Sequence, residues 1–296
     1  MTTFRKLLCP IDFSPGSDAA MRVAIRIAKD CGAELVLAHA WYMPPLAFAD
    51  GMQFPGDSLQ RMIDEEERLL TAAAGEATRQ GVSRVSSKFL TGLPWDRIVA
   101  MLHDDVAFDL VVMGTHGRTG LRRIMLGSVA EKVVRHAPCS VITVHPTDEA
   151  TPFQQILCPI DFSPSARHAA ELAVALAAPN TGVVTLLHVI ELPVATSGEP
   201  LAPDFLVDLD RAAAGRLEKW ATELGATSKG RVVTRSRIGS PAGQALAILD
   251  EDPSVDLVAT GSHGRTGLGR VLLGSVAEKL VRHAPCPVLV ARTRPT

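Results

Sequence analysis

Short runs of unbroken apolar residues alternate with longer amphipathic stretches along the whole chain. Runs such as LVLAHA and LVVMG lack a period-two alternation, as expected of strands covered on both faces. In the first half this pattern predicts strands at Lys6–Ile11, Glu34–Ala40, Arg84–Leu90, Asp109–Gly114 and Ser140–His145. Between them it predicts helices at Ser17–Cys31, Asp57–Gln80, Pro94–His103 and Gly127–His136. Asp57 and Ser58 offer an N-cap start to the second helix, Gly81 a stop, and Pro94 suits a first helical turn. The second half repeats the order, with strands near Gln155–Ile160, Val183–Val189, Arg231–Ile238, Asp256–Thr260 and Pro287–Ala291. Strand and helix in alternation predict an α/β fold with a parallel sheet.

The repetition extends to individual residues. Gly114–Cys139 and Gly261–Cys286 agree at 21 of 26 positions, and LLCPIDFSP at Leu7–Pro15 returns as ILCPIDFSP at Ile156–Pro164. The chain therefore reads as two copies of one domain, 1–146 and 152–296, joined by a polar linker at 147–151. The copies differ in length mainly around the second helix and the loops at Met43–Gly56 and Leu192–Pro203. Packing tolerates hydrophobic exchange, so near-identity at the glycine and polar positions of a loop points to a site rather than to a core.

Composition narrows the class. A chain of 296 residues with 47% hydrophobic and 21% charged residues suits two globular domains. A formal net charge of −2 gives no reason to expect nucleic acid or an anionic membrane as partner. Five cysteines without a dense framework fit a reducing compartment. No leader pattern opens the sequence and no apolar stretch is long enough to span a bilayer, so a soluble cytoplasmic protein is expected.

The candidate chemistry lies in the repeated loop. Gly114-Thr-His-Gly117 is followed by nine residues and Gly127-Ser128, and Gly261-Ser-His-Gly264 by nine residues and Gly274-Ser275. Gly114 ends a buried strand, so the loop starts at the carboxyl edge of the sheet, where open α/β folds place ligands. Gly117 and Gly120 permit close backbone approach. Gly127-Ser128-Val129 opens a helix whose first N–H groups suit an anion such as a phosphate chain. Arg118, Arg122 and Arg123 add positive charge to the same loop. An alternative reading stays open: Ser128-Val-Ala-Glu131 and Ser275-Val-Ala-Glu278 both fit a capping box, which would make the serines plain helix caps. Asp12 and Asp161 follow the first strand of each half. They are placed either to accept hydrogen bonds from a ribose across the crevice or to form an Asx-turn before the next helix.

PIDFS after the first strand, a histidine near the end of the second, and G-x-x-G-(nine)-G-S before the last helix together resemble the universal stress protein family in its tandem form. The likeness covers nearly the whole chain. It implies two doubly wound five-stranded parallel sheets of order 3-2-1-4-5, the adenine nucleotide alpha hydrolase-like architecture, with ATP, and Mg²⁺ as its counterion, in the crevice. By that resemblance Asp12 serves the ribose end and the main chain of Ala40 reads the adenine edge. Met113 and Gly114 line the ribose, and Gly117, Gly127, Ser128 and Val129 hold phosphates. The matching positions in the second half are Asp161, Val189, Thr260, Gly261, Gly264, Gly274, Ser275 and Val276. The changes from Ala40 to Val189 and from Met113 to Thr260 imply unequal affinities. The resemblance also implies pairing through the fifth strands, internally as a pseudo-dimer and between chains as a homodimer.

Other residues read more plainly. His116 and His263 sit in the loop with no carboxylate fixed beside them, and no residue is given a catalytic role. His136-x-x-Cys139 and His283-x-x-Cys286 make only half of a metal site. Cys9 and Cys158 read as small core residues, and Asp64–Glu67 as a solvated helix face. With no Walker lysine and no evident base, the expected function is a nucleotide-dependent regulator with an unknown protein partner. A slow ATPase or phosphotransferase and a ligand-free scaffold are the alternatives.

Overall fold

The computed structural model describes residues 4–43, 57–115, 126–192, 203–264 and 273–293. These divide into two compact units, Phe4–Ala150 and a second beginning at Thr151. The first contains β1 (Lys6–Pro10), α1 (Pro15–Cys31), β2 (Glu34–Trp41), α2 (Ser58–Arg79), β3 (Arg84–Thr91), α3 (Pro94–Asp104), β4 (Leu110–Gly114), α4 (Ser128–His136) and β5 (Ser140–Val144). The second contains β6 (Gln155–Ile160), α5 (Pro164–Leu176), β7 (Val183–Ile190), α6 (Pro203–Gly225), β8 (Arg231–Ile238), α7 (Pro241–Glu251), β9 (Leu257–Gly261), α8 (Ser275–His283) and β10 (Val288–Ala291).

Within the first unit the strands run parallel in the order β3-β2-β1-β4-β5, and within the second in the order β8-β7-β6-β9-β10. The direction of winding reverses after the third strand. Right-handed crossovers then put the first two helices on one face of each sheet and the last two on the other. In accord with that, α3 packs on α4, α5 on α6 and α7 on α8. The central strands are covered on both sides, and Leu7, Leu8, Leu35, Leu37, Leu110 and Ile142 are fully buried. Burying each such side chain contributes about 1.5–3 kcal/mol, and this layer fixes where the strand ends project.

Observed element ends fall within two residues of those expected from the sequence. The largest shift is at α1, which starts at Pro15 rather than Ser17. Pro15 carries the φ of a first helical turn, and Ser14 caps it by accepting the Ser17 N–H. Asp57 occupies the N-cap position of α2, but its side chain makes no capping bond. Gly81, just past the end of that helix, takes φ +97°, the left-handed conformation that stops a helix. Cys9 and Cys158 are fully buried in β1 and β6, and burial pushes the Cys158 thiol up to about 12. Among the described residues no helix is long and apolar enough to cross a membrane.

Candidate functional site

Each half places two turns at the carboxyl edge of its sheet, and their geometry agrees closely between the copies. The first follows the central strand. Asp12 Oδ1 accepts the Ser14 N–H at 3.1 Å and the Ser14 hydroxyl at 2.5 Å, while Ser14 Oγ accepts the Ser17 N–H at 3.3 Å. In the second half Asp161 Oδ1 accepts the Ser163 N–H at 3.0 Å, and Ser163 Oγ accepts the Ala166 N–H at 3.2 Å. The Asx-turn is therefore formed in both copies. Its tightness requires the intervening Phe13 and Phe162 to adopt φ of 60° and 64°. That left-handed conformation is disfavoured for a bulky aromatic residue.

A buried histidine supports each strained phenylalanine. His39 stacks on Phe13 with centroids 4.8 Å apart, and its Nδ1 lies 2.8 Å from the Ile11 carbonyl. His188 stacks on Phe162 at 4.6 Å, with Nδ1 3.0 Å from the Ile160 carbonyl. A carbonyl only accepts, so Nδ1 carries the proton in both rings. In the first half Nε2 of His39 meets Glu66 Oε2 at 2.8 Å, with both side chains largely buried. This corrects the expectation of a solvated Asp64–Glu67 face. Glu65 pairs with Arg68 and Asp64 accepts from Gln60 at the surface, whereas Glu66 turns inward.

The second turn leads from the fourth strand to the last helix. Gly127 N–H donates to the Thr115 carbonyl at 2.7 Å, and Thr115 N–H to Val144 at 2.9 Å. The counterparts are Gly274 to Ser262 at 2.8 Å and Ser262 to Ala291 at 2.9 Å. Gly127 (φ −62°, ψ 146°) and Gly274 (φ −64°, ψ 147°) are the N-cap residues, with no side-chain cap. The capping-box reading is thereby overturned. Ser128 and Ser275 are the first helical residues, because the glycine before each takes the extended conformation of the cap. Both serines are exposed, and the helix starts with N–H groups that lack intrahelical acceptors.

Gly114 and Gly261 end the fourth strands at close approaches. A Cβ on Gly114 would lie 2.7 Å from the Gly16 carbonyl carbon, and one on Gly261 would lie 2.9 Å from that of Ser165. These two glycines allow the first turn of α1 and of α5 to press against the fourth strand, a packing role not apparent from the sequence.

The base end follows from strand alternation. The Trp41 carbonyl accepts Gly92 N–H and the Ile190 carbonyl accepts Gly239 N–H, both toward the outer third strand of the sheet. The main-chain groups of Ala40 and Val189 therefore face the opposite side. There β1 has already ended at Pro10, and β6 ends at Ile160 opposite His188.

In the second half these parts enclose a cavity of about 360 Å³, within the ~300–1,000 Å³ span of small-molecule pockets. Asp161, Val189, Thr260 and Gly261 line one end of the sequence-derived set, and Gly264, Gly274, Ser275 and Val276 complete it. A Cβ on Gly264 would meet Asp161 Oδ2 at 2.9 Å, so a side chain there would crowd the aspartate. The wall also includes Pro159, Leu187, Glu191, Pro241 and His263. Of these only His263 stood out in the sequence; Glu191 could have been found as the second residue beyond Val189 on the same strand face. His263 Nδ1 lies 3.0 Å from the Ser262 hydroxyl, and its Nε2 is buried without a hydrogen-bond partner among the described residues.

Asp12, Ala40, Met113, Gly114, Gly127, Ser128 and Val129 occupy the matching strand ends and helix start of the first half. His116, Gly117, Arg118, Gly120, Arg122 and Arg123 lie outside the described residues, as do most of the loops at Met43–Gly56 and Leu192–Pro203. Cys139 is buried, and His136 packs beside Trp95 at 6.1 Å between ring centroids. Among the described residues no group of three or more His, Cys, Asp or Glu is placed to hold a metal ion.

The model of the universal stress protein family matches residues 3–145 and again 152–292. The chain belongs to that family. A universal stress protein of Mycobacterium tuberculosis is 31% identical over 250 residues, covering 77% of this chain and 78% of the relative. Another from the same organism is 29% identical over 298 residues, covering 97% of this chain and 96% of the relative. The crystal structure of a universal stress protein from Archaeoglobus fulgidus has the same fold, with a TM-score of 0.71 and 22% identity over 98% of this chain and 99% of that one.

Proposed function

We propose that this universal stress protein is a nucleotide-dependent regulator in the stress response, holding ATP at the crevice of each half. One observation carries the reading: all eight second-half residues named from the sequence line a single cavity. The parts of that cavity suit the parts of a nucleotide. The main chain of Val189 serves the base edge and Thr260 with Asp161 the ribose. The start of α8, at Gly274, Ser275 and Val276, offers N–H groups and the positive end of the helix dipole to the phosphates. Asp12, Ala40, Met113, Gly114, Gly117, Gly127, Ser128 and Val129 hold the equivalent roles in the first half, and Mg²⁺ accompanies the triphosphate as counterion.

Turnover is expected near background. Among the described residues the titratable side chains lining the cavity are Asp161, Glu191 and His263, and phosphoryl transfer in efficient sites rests on metal and cationic clamps. Bound ATP instead supplies a polyanion whose presence or absence sets the choice of protein partner.

Calorimetry on the full chain with ATP tests the reading. The expected result is saturable binding approaching two nucleotides per chain, with ATP also released from the purified native protein and detected by mass spectrometry. Absence of binding favours the ligand-free scaffold. Turnover above roughly 1 per second, the low end for kinases, favours an enzyme.

A further inference from the structure

The two halves carry different residues at the strand positions assigned to the base end. Leu187, Val189 and Glu191 alternate along β7 and its extension, and all three line the second-half cavity. Period-two alternation puts them on one strand face. The register of the repeat gives Ala38, Ala40 and Tyr42 on the corresponding face of the first half. Both third positions are exposed, and Glu191 lines the second-half cavity. One carries a carboxylate, the other a phenol.

We propose that Glu191 is a specificity-determining residue that makes the second site select a 6-aminopurine, while the first site is permissive. The proposal rests on the nucleotide reading above and deepens it. A carboxylate only accepts hydrogen bonds, whereas a phenol both donates and accepts. Set beside the base, Glu191 accepts from a 6-amino group and opposes a 6-keto oxygen. Tyr42 can serve either. A carboxylate so near the anionic ligand is tolerable only because it lies at the end of the cavity away from the helix start, where the phosphates would gather. The carboxylate is partly solvated, which limits the discrimination to about 10-fold rather than the far larger ratios of sealed sites.

The experiment uses the full chain carrying Ser128→Asp, which sets a carboxylate on the first-half helix start and leaves the second site to be read alone. Affinities for ATP and for inosine triphosphate, which has a 6-keto oxygen and an N1–H in place of the 6-amino group and bare N1, are measured by calorimetry with and without Glu191→Gln. The expected result is ATP bound about 10-fold more tightly in the parent. In the Glu191→Gln variant the gap closes to about 2-fold, mainly by gain of inosine triphosphate affinity, because an amide can donate as well as accept. A reciprocal chain with Ser275→Asp and Tyr42→Glu should acquire a preference for ATP that Ser275→Asp alone lacks. ATP binding with no gap in the parent, or with a gap unchanged by Glu191→Gln, overturns the proposal and leaves the nucleotide reading standing. Failure of the unsubstituted chain to bind either nucleotide overturns both.

Discussion

The two halves agree where main chain does the work and part company where side chains do. The cap glycines of α4 and α8 differ by two degrees in φ and one in ψ, and Phe13 and Phe162 by four degrees in φ. Around the same crevice, Ala40, Tyr42 and Met113 stand against Val189, Glu191 and Thr260. Each phenylalanine turn also has side chains behind it. In the first half His39 reaches Glu66 on α2; in the second Phe162 lies under Arg216 of α6, 3.9 Å from guanidinium carbon to ring centroid, with Trp220 edge-on at 5.4 Å. A turn that presents N–H groups depends on φ and ψ, so exchange there is costly. A wall that presents side chains can change its chemistry without moving the backbone.

The sharpest break of this comparison comes from the helix starts. Ser128→Asp and Ser275→Asp put a negative charge where phosphates are expected, and each should lower ATP affinity at its own site on the order of 100-fold by charge repulsion and loss of approach. Calorimetric stoichiometry should fall to one nucleotide per chain in either variant and to none in the pair. Thermal stability should hold or rise slightly, since an aspartate in a first helical turn is favourable by about 0.3–1 kcal/mol. Were the serines caps, the same changes would be neutral to the helix; as first-turn residues they separate binding from folding cleanly.

Second in size is the packing at the ends of the fourth strands. Gly114→Ala and Gly261→Ala each force a methyl against backbone closer than 3.0 Å, which should cost about 1–3 kcal/mol by overpacking. Chemical denaturation checks this, and similar losses in both variants would sharpen the claim that this layer is shared. A much smaller loss at Gly114 would break it.

How much of this was legible beforehand divides along the same line. The strands were readable because buried parallel strands need unbroken apolar runs, and the residues that line the second-half cavity because a glycine-rich loop before a helix marks the carboxyl edge of the sheet. Two features were not. Ser128 fits a capping box by pattern, yet whether it caps depends on the dihedrals of Gly127, which no spacing reveals. The inward turn of Glu66 was hidden because its partner, His39, lies 27 residues away on another element. A run of four acidic residues gives no clue as to which one faces the core.

That inward pair supplies the third test. Glu66→Leu leaves a buried imidazole nitrogen without its hydrogen-bond partner and should cost about 2 kcal/mol, the scale of a buried polar group left unpaired. Glu66→Gln, whose amide can donate or accept, should recover most of it. Denaturant midpoints for the two variants decide whether the first half relies on this contact to hold the Phe13 turn.

The smallest effect is expected from His168, which the repeat register aligns with Ala19 and which therefore belongs to the second half alone. Burial holds its imidazole below the usual histidine range, with the nearby Glu171 carboxylate only partly opposing the shift. The sign follows from proton counting. As pH falls through about 6.5, the ordinary histidine value, the unfolded chain takes up a proton that the folded chain resists, so folding stability declines. His168→Gln should flatten the pH dependence of the thermal midpoint between about pH 7.5 and about pH 5.5. An unaltered slope in that variant would assign the decline to other groups and remove one of the differences drawn between the halves.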